Sequence, residues 1–336
     1  MKNILIDMDV HAVSLERLQK IPNVRVTTIE PFDDFRILPA DLIGNKHFLF
    51  CSCPPTNLSD MKEIEVIQIA SAGYSQLFNL GIVERKIKVC NAAGVNDIPI
   101  AEWNIAMMVN LARDMRGIIR NQESGVWERP ARFQREIRGS KVGVWGYGGI
   151  GRETARLAKN MGMVVHVLDA QPVGPRKNFY GFAGTGDHEG VLPDRVFSVG
   201  QEKEFLSGLD FLILSMPLTQ RTEGIVTEEF LKMLPPHAFV LNPARGPLIK
   251  EEALLNALRK GWIAGAALDT HYYYPMPADH PLWRFPNVIM TPHISGSTLS
   301  PRFLERVWDV CVQNVQRYVA GEPLLNQLTA NQLMGR

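Results

Sequence analysis

One stretch constrains this chain more than any other: Val142-Gly143-Val144-Trp145-Gly146-Tyr147-Gly148-Gly149-Ile150-Gly151. An apolar run of this kind suits a strand buried on both faces. Glycines follow it at once in the spacing G-x-G-x-x-G, through Gly146, Gly148 and Gly151. Gly146 permits a tight strand-to-helix turn, Gly148 lets the main chain approach a pyrophosphate, and Gly151 lets helix and strand pack closely. Gly149 and Ile150 complete the turn, and a helix is expected from Arg152 to Asn160. Its N-terminus offers free N–H groups and a positive dipole end to phosphates. The next strand, Val164 to Leu168, ends in Asp169, eighteen residues past Gly151. A carboxylate there is placed to accept hydrogen bonds from the adenosine ribose hydroxyls. It would also repel a 2′-phosphate, which favours NAD as the cofactor and makes NADP the weaker candidate. Arg176 and Lys177, a few residues beyond, are the cations a 2′-phosphate would use.

The rest of the chain fits a two-domain α/β protein. Its 336 residues are enough for two cores. In the first hundred, short β-rich runs (Ile4 to Ile6, Val24 to Thr28, His47 to Phe50, Val66 to Ala70, Ile87 to Cys90) alternate with polar or helical segments. That alternation argues for βαβ units and a parallel sheet. From Ala101 to about Arg120 apolar residues recur at helical spacing, with Glu102 early and Arg113, Arg116 and Arg120 late. After Lys141 the alternation resumes, with strands at Phe211 to Leu214, Phe239 to Leu241 and Ala264 to Leu268. Ser300 to Val319 reads as a closing amphipathic helix.

Charge and cysteine content exclude several classes. With 36 Lys and Arg against 35 Asp and Glu, and no basic stripe, nucleic acid and membrane surfaces are poor partners. No apolar run reaches the roughly 18 residues of a membrane span, and the N-terminus shows no signal-peptide pattern. Cys51, Cys53, Cys90 and Cys311 are expected to be reduced structural thiols in a cytoplasmic protein, with Cys51 and Cys53 on one side of a strand. No metal-ligand set is expected, because the Cys and His needed for tetrahedral spacing are missing.

Asn242-Pro243-Ala244-Arg245-Gly246, Leu268-Asp269-Thr270 and Thr291-Pro292-His293-Ile294 stand in that order along the chain. Ser71-Ala72-Gly73-Tyr74, Asn91-Ala92-Ala93-Gly94-Val95-Asn96 and Pro217-Leu218-Thr219 through Thr222 accompany them. Together they resemble the signature blocks of the D-isomer-specific 2-hydroxyacid dehydrogenase family, over nearly the whole chain. The resemblance implies that Arg245 holds the substrate carboxylate and keto oxygen, as a guanidinium fork can. It implies that His293 exchanges a proton with the 2-oxygen. Asp269 would anchor the nicotinamide carboxamide, and Met216, Pro217, Thr222, Pro243, Ala244 and His293 would line the cofactor. Ser71, Ala72 and Gly73 would offer N–H groups to the substrate carboxylate, and Asn96 matches a substrate-contacting Asn found in some members, such as formate dehydrogenases.

One position departs from the family. In Asp269-Thr270-His271-Tyr272-Tyr273-Tyr274-Pro275, Tyr274 falls where the family has the Glu that pairs with the catalytic His. That Glu raises the imidazole pKa; an uncharged phenol would not. Three readings follow: a His–Tyr pair, a second carboxylate such as Asp279 moving in, or altered chemistry. Residues 174–200 form a second departure, an insertion of about a dozen residues expected to be an exposed loop.

The fold class expected is α/β, two Rossmann/flavodoxin-like parallel-sheet domains with the active site in the interdomain cleft. Residues 1–99 plus 291–336 would form the substrate-binding domain and 100–290 the NAD-binding domain, with two crossings making a hinge. The function expected is hydride transfer between NAD(H) and the 2-position of a small 2-hydroxy or 2-oxo acid. The alternative is a dinucleotide sensor or altered chemistry on the same fold. Family members are mostly homodimers, and Trp103, Met107 and Met108 on the interdomain helix suit that assembly.

Overall fold

The computed structural model describes residues 1–129 and 134–335. They divide into two compact units: residues 1–96, 177–182 and 298–336, and residues 97–176 and 183–297. The expected boundaries at 99/100 and 290/291 thus fall a few residues away, and the chain passes between units four times rather than twice, because part of the insertion joins the first unit.

In the first unit the order is β1 (Lys2–Asp7), α1 (Ala12–Gln19), β2 (Val24–Thr28), α2 (Ala40–Ile43), β3 (Phe48–Cys51), β4 (Val66–Ile69) and β5 (Lys88–Cys90). The five strands form one parallel sheet, ordered β2-β1-β3-β4-β5. Successive residues of a strand point to opposite faces, so Ile4, Ile6, Phe48 and Phe50 enter one core while Leu5, Leu49 and Ile67 enter another. Cys51, Cys90 and Cys311 are buried free thiols within those cores, and Cys53 is a half-buried one beyond the end of β3. Burial pushes Cys90 up to about 12, so these are packing groups rather than nucleophiles.

The second unit runs α3 (Asp97–Ala112), α4 (Met115–Glu123), β6 (Lys141–Trp145), α5 (Gly149–Asn160), β7 (Val164–Asp169), β8 (Arg195–Ser198) and α6 (Glu202–Leu206). It continues β9 (Phe211–Leu214), α7 (Glu228–Met233), β10 (Phe239–Asn242), α8 (Glu251–Arg259), β11 (Gly265–Leu268) and β12 (Val288–Met290). The chain then re-enters the first unit as α9 (Pro301–Ala320) and α10 (Ala330–Leu333). Seven parallel strands lie in the order β12-β11-β10-β9-β6-β7-β8. Val142, Val144, Phe211 and Ile213 pack on one face, Trp145, Leu212 and Leu214 on the other.

Two expectations need correction. The single helix expected from Ala101 to Arg120 starts at Asp97 and breaks between α3 and α4, where Asp114 takes a left-handed φ of 49°. Pro99 fits the first turn, where a missing N–H costs nothing. The break has a tertiary cause: Arg116 donates to the carbonyls of Phe285 (2.5 Å), Trp283 (3.0 Å) and Val288, beside and within β12.

The insertion is not simply exposed. Tyr180 and Asp187 are only 5% exposed. Tyr180 packs into the first unit's core, and its N–H donates to Asn326 Oδ1 at 3.0 Å. Asp187 Oδ2 takes the Tyr147 hydroxyl (2.8 Å) and the Leu192 N–H (3.0 Å), and Oδ1 takes the N–H groups of Gly190 and Val191. Arg152 donates to the Gly174 carbonyl at 2.8 Å, and Glu153 accepts from the Gly186 N–H at 2.6 Å. The loop is therefore fastened to the start of α5.

Asp187→Ala strands the buried Tyr147 hydroxyl and frees three part-buried N–H groups, and a stranded buried donor costs about 1–3 kcal/mol. A fall of at least that size is expected in denaturant unfolding, with faster proteolysis within 181–187; an unchanged midpoint would show the fastening to be idle. Burial pushes the Asp187 carboxyl up, but the Leu192 N–H, the Tyr147 hydroxyl and the Val191 N–H outweigh it and hold it below the ordinary range. Its contribution is therefore complete above that range and is lost as pH falls through the lowered value.

Candidate active site

The glycine turn has the form that a pyrophosphate needs. Gly146 has φ +98°, and a Cβ there would lie 2.9 Å from the Met216 main chain. A Cβ at Gly151 would stand 2.4 Å from the Gly146 carbonyl. At Gly148 a Cβ would meet nothing within 4 Å, so the main chain there faces open space that a phosphate can fill. The Gly149 position is pressed by the Asp97 carboxylate, which a Cβ would meet at 2.0 Å. Ile150 is half-buried in the first turn of α5. At the end of β7 the Asp169 carboxylate accepts from the Gln171 N–H at 2.7 Å and from the Tyr147 N–H. These residues fit a dinucleotide.

A second group of residues lies at the C-terminal ends of β10, β11 and β12. Asn242 closes the turn after β10: its Oδ1 accepts from the Ala244 and Arg245 N–H groups, and its Nδ2 donates to the Arg245 carbonyl at 2.8 Å. Pro243 and Ala244 thereby become a fixed rim, and the half-buried Arg245 guanidinium donates to the Ala244 carbonyl at 2.7 Å. A Cβ at Gly246 would come within 2.6 Å of the His271 main chain, so this turn and the next segment pack without clearance. Met216 packs its side chain into the core, and Thr222 donates to the Pro217 carbonyl at 2.7 Å, closing the loop after β9.

His293 follows β12 at a left-handed φ of 59° and is exposed. Asp269 holds it there. The buried Asp269 carboxylate accepts from Thr291 Oγ1 (2.5 Å), the Ile294 N–H (2.9 Å), the Ser295 N–H (3.0 Å) and Ser295 Oγ (2.5 Å), and its carbonyl accepts the His293 N–H at 2.8 Å. Its bonds thereby hold the turn that presents His293. Loss of hydration and the Arg245 guanidinium push the imidazole below its usual range, His271 adds to this, and Asp269 opposes it.

Tyr274 lies against His293, ring centroids 5.6 Å apart at 56°. Its hydroxyl accepts the His271 N–H at 3.2 Å. No described hydrogen bond joins this hydroxyl to the imidazole, and no described carboxylate forms an ion pair with His293. Asp279 does not take the missing place. Glu251, which bonds this loop through Tyr273, is paired with His280 instead.

In the first unit, Ser71 Oγ donates to the Gly73 carbonyl at 2.7 Å, and Asn91 Nδ2 donates to the Ala72 carbonyl at 2.7 Å. These bonds fix the turn and leave the Ala72 and Gly73 N–H groups without a described acceptor. Asn96 Oδ1 is buried with no described donor.

The family model described as D-isomer specific 2-hydroxyacid dehydrogenase, NAD binding domain, matches residues 105–295, more than half of the chain. The chain belongs to this family. A glyoxylate reductase of Thermofilum pendens is 30% identical over 77% of this chain and 73% of its own. A hydroxypyruvate reductase of Blautia hydrogenotrophica is 29% identical over 78% and 77%. The crystal structure of a D-isomer specific 2-hydroxyacid dehydrogenase from Xanthobacter autotrophicus Py2, in complex with NADPH and MES, superposes with a TM-score of 0.76 at 25% identity, covering 98% of this chain and 99% of that one. This dehydrogenase therefore pairs a nicotinamide-dinucleotide unit with chemistry on 2-hydroxy or 2-oxo acids.

Four residues that border the tyrosine run or belong to it carry no signal in the sequence. His271 (8% exposed) donates from Nε2 to the Thr291 carbonyl at 2.8 Å. Glu251, Tyr273 and His280 form a bonded cluster beside the tyrosine run. No spacing signals such a cluster, since Glu251 and His280 stand 29 residues apart.

Proposed function

We propose that this dehydrogenase reversibly reduces a small 2-oxo acid to the D-hydroxy acid with NADH, using Arg245 and His293. The observation that carries the reading is their joint display after β10 and β12, at the C-terminal ends of strands of the same sheet that carries the glycine turn. A bound nicotinamide supplies or accepts the hydride. Arg245 holds the carboxylate and polarises the 2-oxygen, and His293 protonates that oxygen in reduction. Asp269 orients His293 through the turn, and Tyr274 excludes water from one side of the imidazole. Gly146, Gly148, Gly149, Ile150 and Gly151 cradle the pyrophosphate, and Met216, Pro217, Thr222, Pro243 and Ala244 border the cofactor. On the first unit, Ser71, Ala72, Gly73 and Asn96 are the anion-binding groups.

Asp169 supports NAD over NADP, because its carboxylate stands at the end of β7 where a 2′-phosphate would be repelled. The structural relative above was crystallised with NADPH, so the ratio of kcat/KM for NADH and NADPH tests this directly. A homodimer is favoured by the exposed Val109, Ile118, Ile119 and Trp127 on α3, on α4 and just beyond. Met108 is buried in its own core and takes no part. Mass measurement in solution checks the assembly. The four free thiols support a cytoplasmic setting, and no described helix is long and apolar enough to cross a membrane.

The test is NADH oxidation with glyoxylate, hydroxypyruvate, pyruvate and phenylpyruvate, from about pH 5 to 9. Reduction consumes a proton, so it needs protonated His293 and should fall as pH rises through a midpoint below the usual imidazole value of about 6.5. Tyr274→Glu adds a negative charge beside the ring and should move that midpoint up by about 1–2 units. An unmoved midpoint would dismiss the His293–Tyr274 pair. NADH binding without turnover of any acid would favour a sensing role.

A further inference from the structure

Among the described residues, the strongest hydrogen-bonded cluster of titratable groups that the proposed chemistry does not use is Glu251, Tyr273 and His280. Glu251 opens α8, immediately after the turn that carries Arg245. Its Oε1 lies 2.6 Å from His280 Nε2, and its Oε2 accepts the Tyr273 hydroxyl at 3.1 Å. His280 is 7% exposed, and its Nδ1 accepts the Leu282 N–H at 3.2 Å. That bond fixes the tautomer: the proton is on Nε2 and is donated to the carboxylate. Neighbouring Tyr272 donates to the Ile249 carbonyl at 3.0 Å, so both ends of the 272–280 segment are tied to the start of α8.

Tyr274 lies within this segment and has no charge with which to attract His293. A Glu at its position would be drawn to imidazolium; a phenol whose hydroxyl is bonded to the His271 N–H is not. Something else must keep its ring against the imidazole.

We propose that Glu251 is a positioning residue: through Tyr273 and His280 it clamps the tyrosine segment so that Tyr274 stays packed on His293 and in register with the Arg245 turn. The proposal rests on His293 being the proton-transfer group proposed above. Electrostatic pairing at the family's Glu position is thereby replaced by mechanical fixation from a carboxylate one segment away. The geometry also says how it fails. Glu251 and Tyr272 border a cavity of about 460 Å³ shared with Lys250, Glu223 and Gln220. Removing the carboxylate lets water from that cavity under the loop, and Tyr274 can then swing away.

The groups facing His293 are Arg245, Asp269, His271 and Tyr274; those facing His280 are Glu251 and Tyr273. Releasing the clamp changes only Tyr274 among the first set. The readout is therefore the titration of His293 itself, followed by proton NMR of its ring and assigned with His293→Asn, alongside the pH profile of kcat/KM. In Glu251→Ala the ring regains water, so its midpoint should rise toward about 6.5. A misplacement of about 1 Å costs on the order of 100-fold, so kcat should drop about 10- to 100-fold with KM little changed. Glu251→Gln, which keeps one acceptor, and Tyr273→Phe should fall between this variant and wild type. Glu252→Gln, on the exposed side of the same turn, should match wild type.

A folded Glu251→Ala with wild-type midpoint and turnover would overturn the clamp. If that variant does not fold, a wild-type midpoint in both Glu251→Gln and Tyr273→Phe would do the same. Should the wild-type protein turn over no oxo acid, the functional reading fails, yet the NMR midpoints still decide the clamp.

Discussion

His293→Asn is expected to lower kcat for 2-oxo acid reduction by about 10²–10⁴-fold, the usual contribution of a positioned general acid. Asn is the informative replacement, because residue 293 has φ +59°, a conformation that Asn tolerates far better than most side chains. The turn should therefore keep its Asp269 bonds and the protein its stability. NADH affinity, read by fluorescence titration, should change little, since the pyrophosphate turn follows β6 and the His293 turn follows β12, at the edge of the same sheet. His293→Ala should give the same kinetic loss with a larger fall in stability than the Asn variant, because Ala tolerates a left-handed residue less well than Asn or His. Were His293→Asn to retain activity within a few-fold of wild type, His293 would not be the proton donor. Attention would then pass to His271, whose buried Nδ1 has no described partner.

Gly151→Ala is expected to be the most damaging single-methyl change on the cofactor side. The added Cβ would meet the Gly146 carbonyl at 2.4 Å, Val144 Cγ1 at 3.0 Å and Ser215 Oγ at 3.1 Å. Ser215 can rotate, but the carbonyl is main chain and is fixed by the Gly146 turn. Overpacking of this kind costs about 1–3 kcal/mol in stability. The strain falls on the turn that meets the pyrophosphate, so NADH binding should weaken by about tenfold or more for each 1.4 kcal/mol taken up there. Thermal unfolding with and without NADH separates the two effects. Gly148→Ala is the contrast, for its Cβ would project into open space. It should leave the free protein's stability nearly unchanged and impair binding alone. Equal behaviour of the two variants would argue against the assignment of roles within the turn.

Both experiments probe features that are legible in the amino-acid sequence alone. The glycine spacing can be read because each glycine answers a local demand within one strand–turn–helix unit. The strands are legible for a similar reason: parallel strands covered on both faces must be apolar along their whole length, as Phe211 to Leu214 are. Arg245 and His293 stand out through the blocks around them. Tyr274 is visible as part of a tyrosine run, but its contact with the His293 ring is not. That its hydroxyl turns to the His271 N–H depends on how the segment folds back, not on the identity of residue 274.

The features that the sequence conceals share one cause. The helix after Pro99 keeps its periodicity across Asp114, and only Arg116 reaching three carbonyls near β12 accounts for the break. The insertion is polar and glycine-rich, yet Asp187 and Tyr180 are buried, because partners far away in sequence, Tyr147 and Asn326, satisfy their surroundings. Asp269 ends β11, and only the folded chain brings residues 291, 294 and 295 to its carboxylate.

The fold class, the glycine turn and the residue types expected for proton transfer can thus be read from the order of residues. Those follow from periodicity and from steric rules that act within a few residues. Only the tertiary structure decided which carboxylate serves which histidine: Asp269 shapes the His293 turn, Glu251 holds His280, and no described carboxylate forms an ion pair with the His293 ring. Such pairings require side chains from separate strand ends to meet at hydrogen-bond distance, and burial then fixes their tautomers and proton affinities. No one-dimensional pattern carries that geometry.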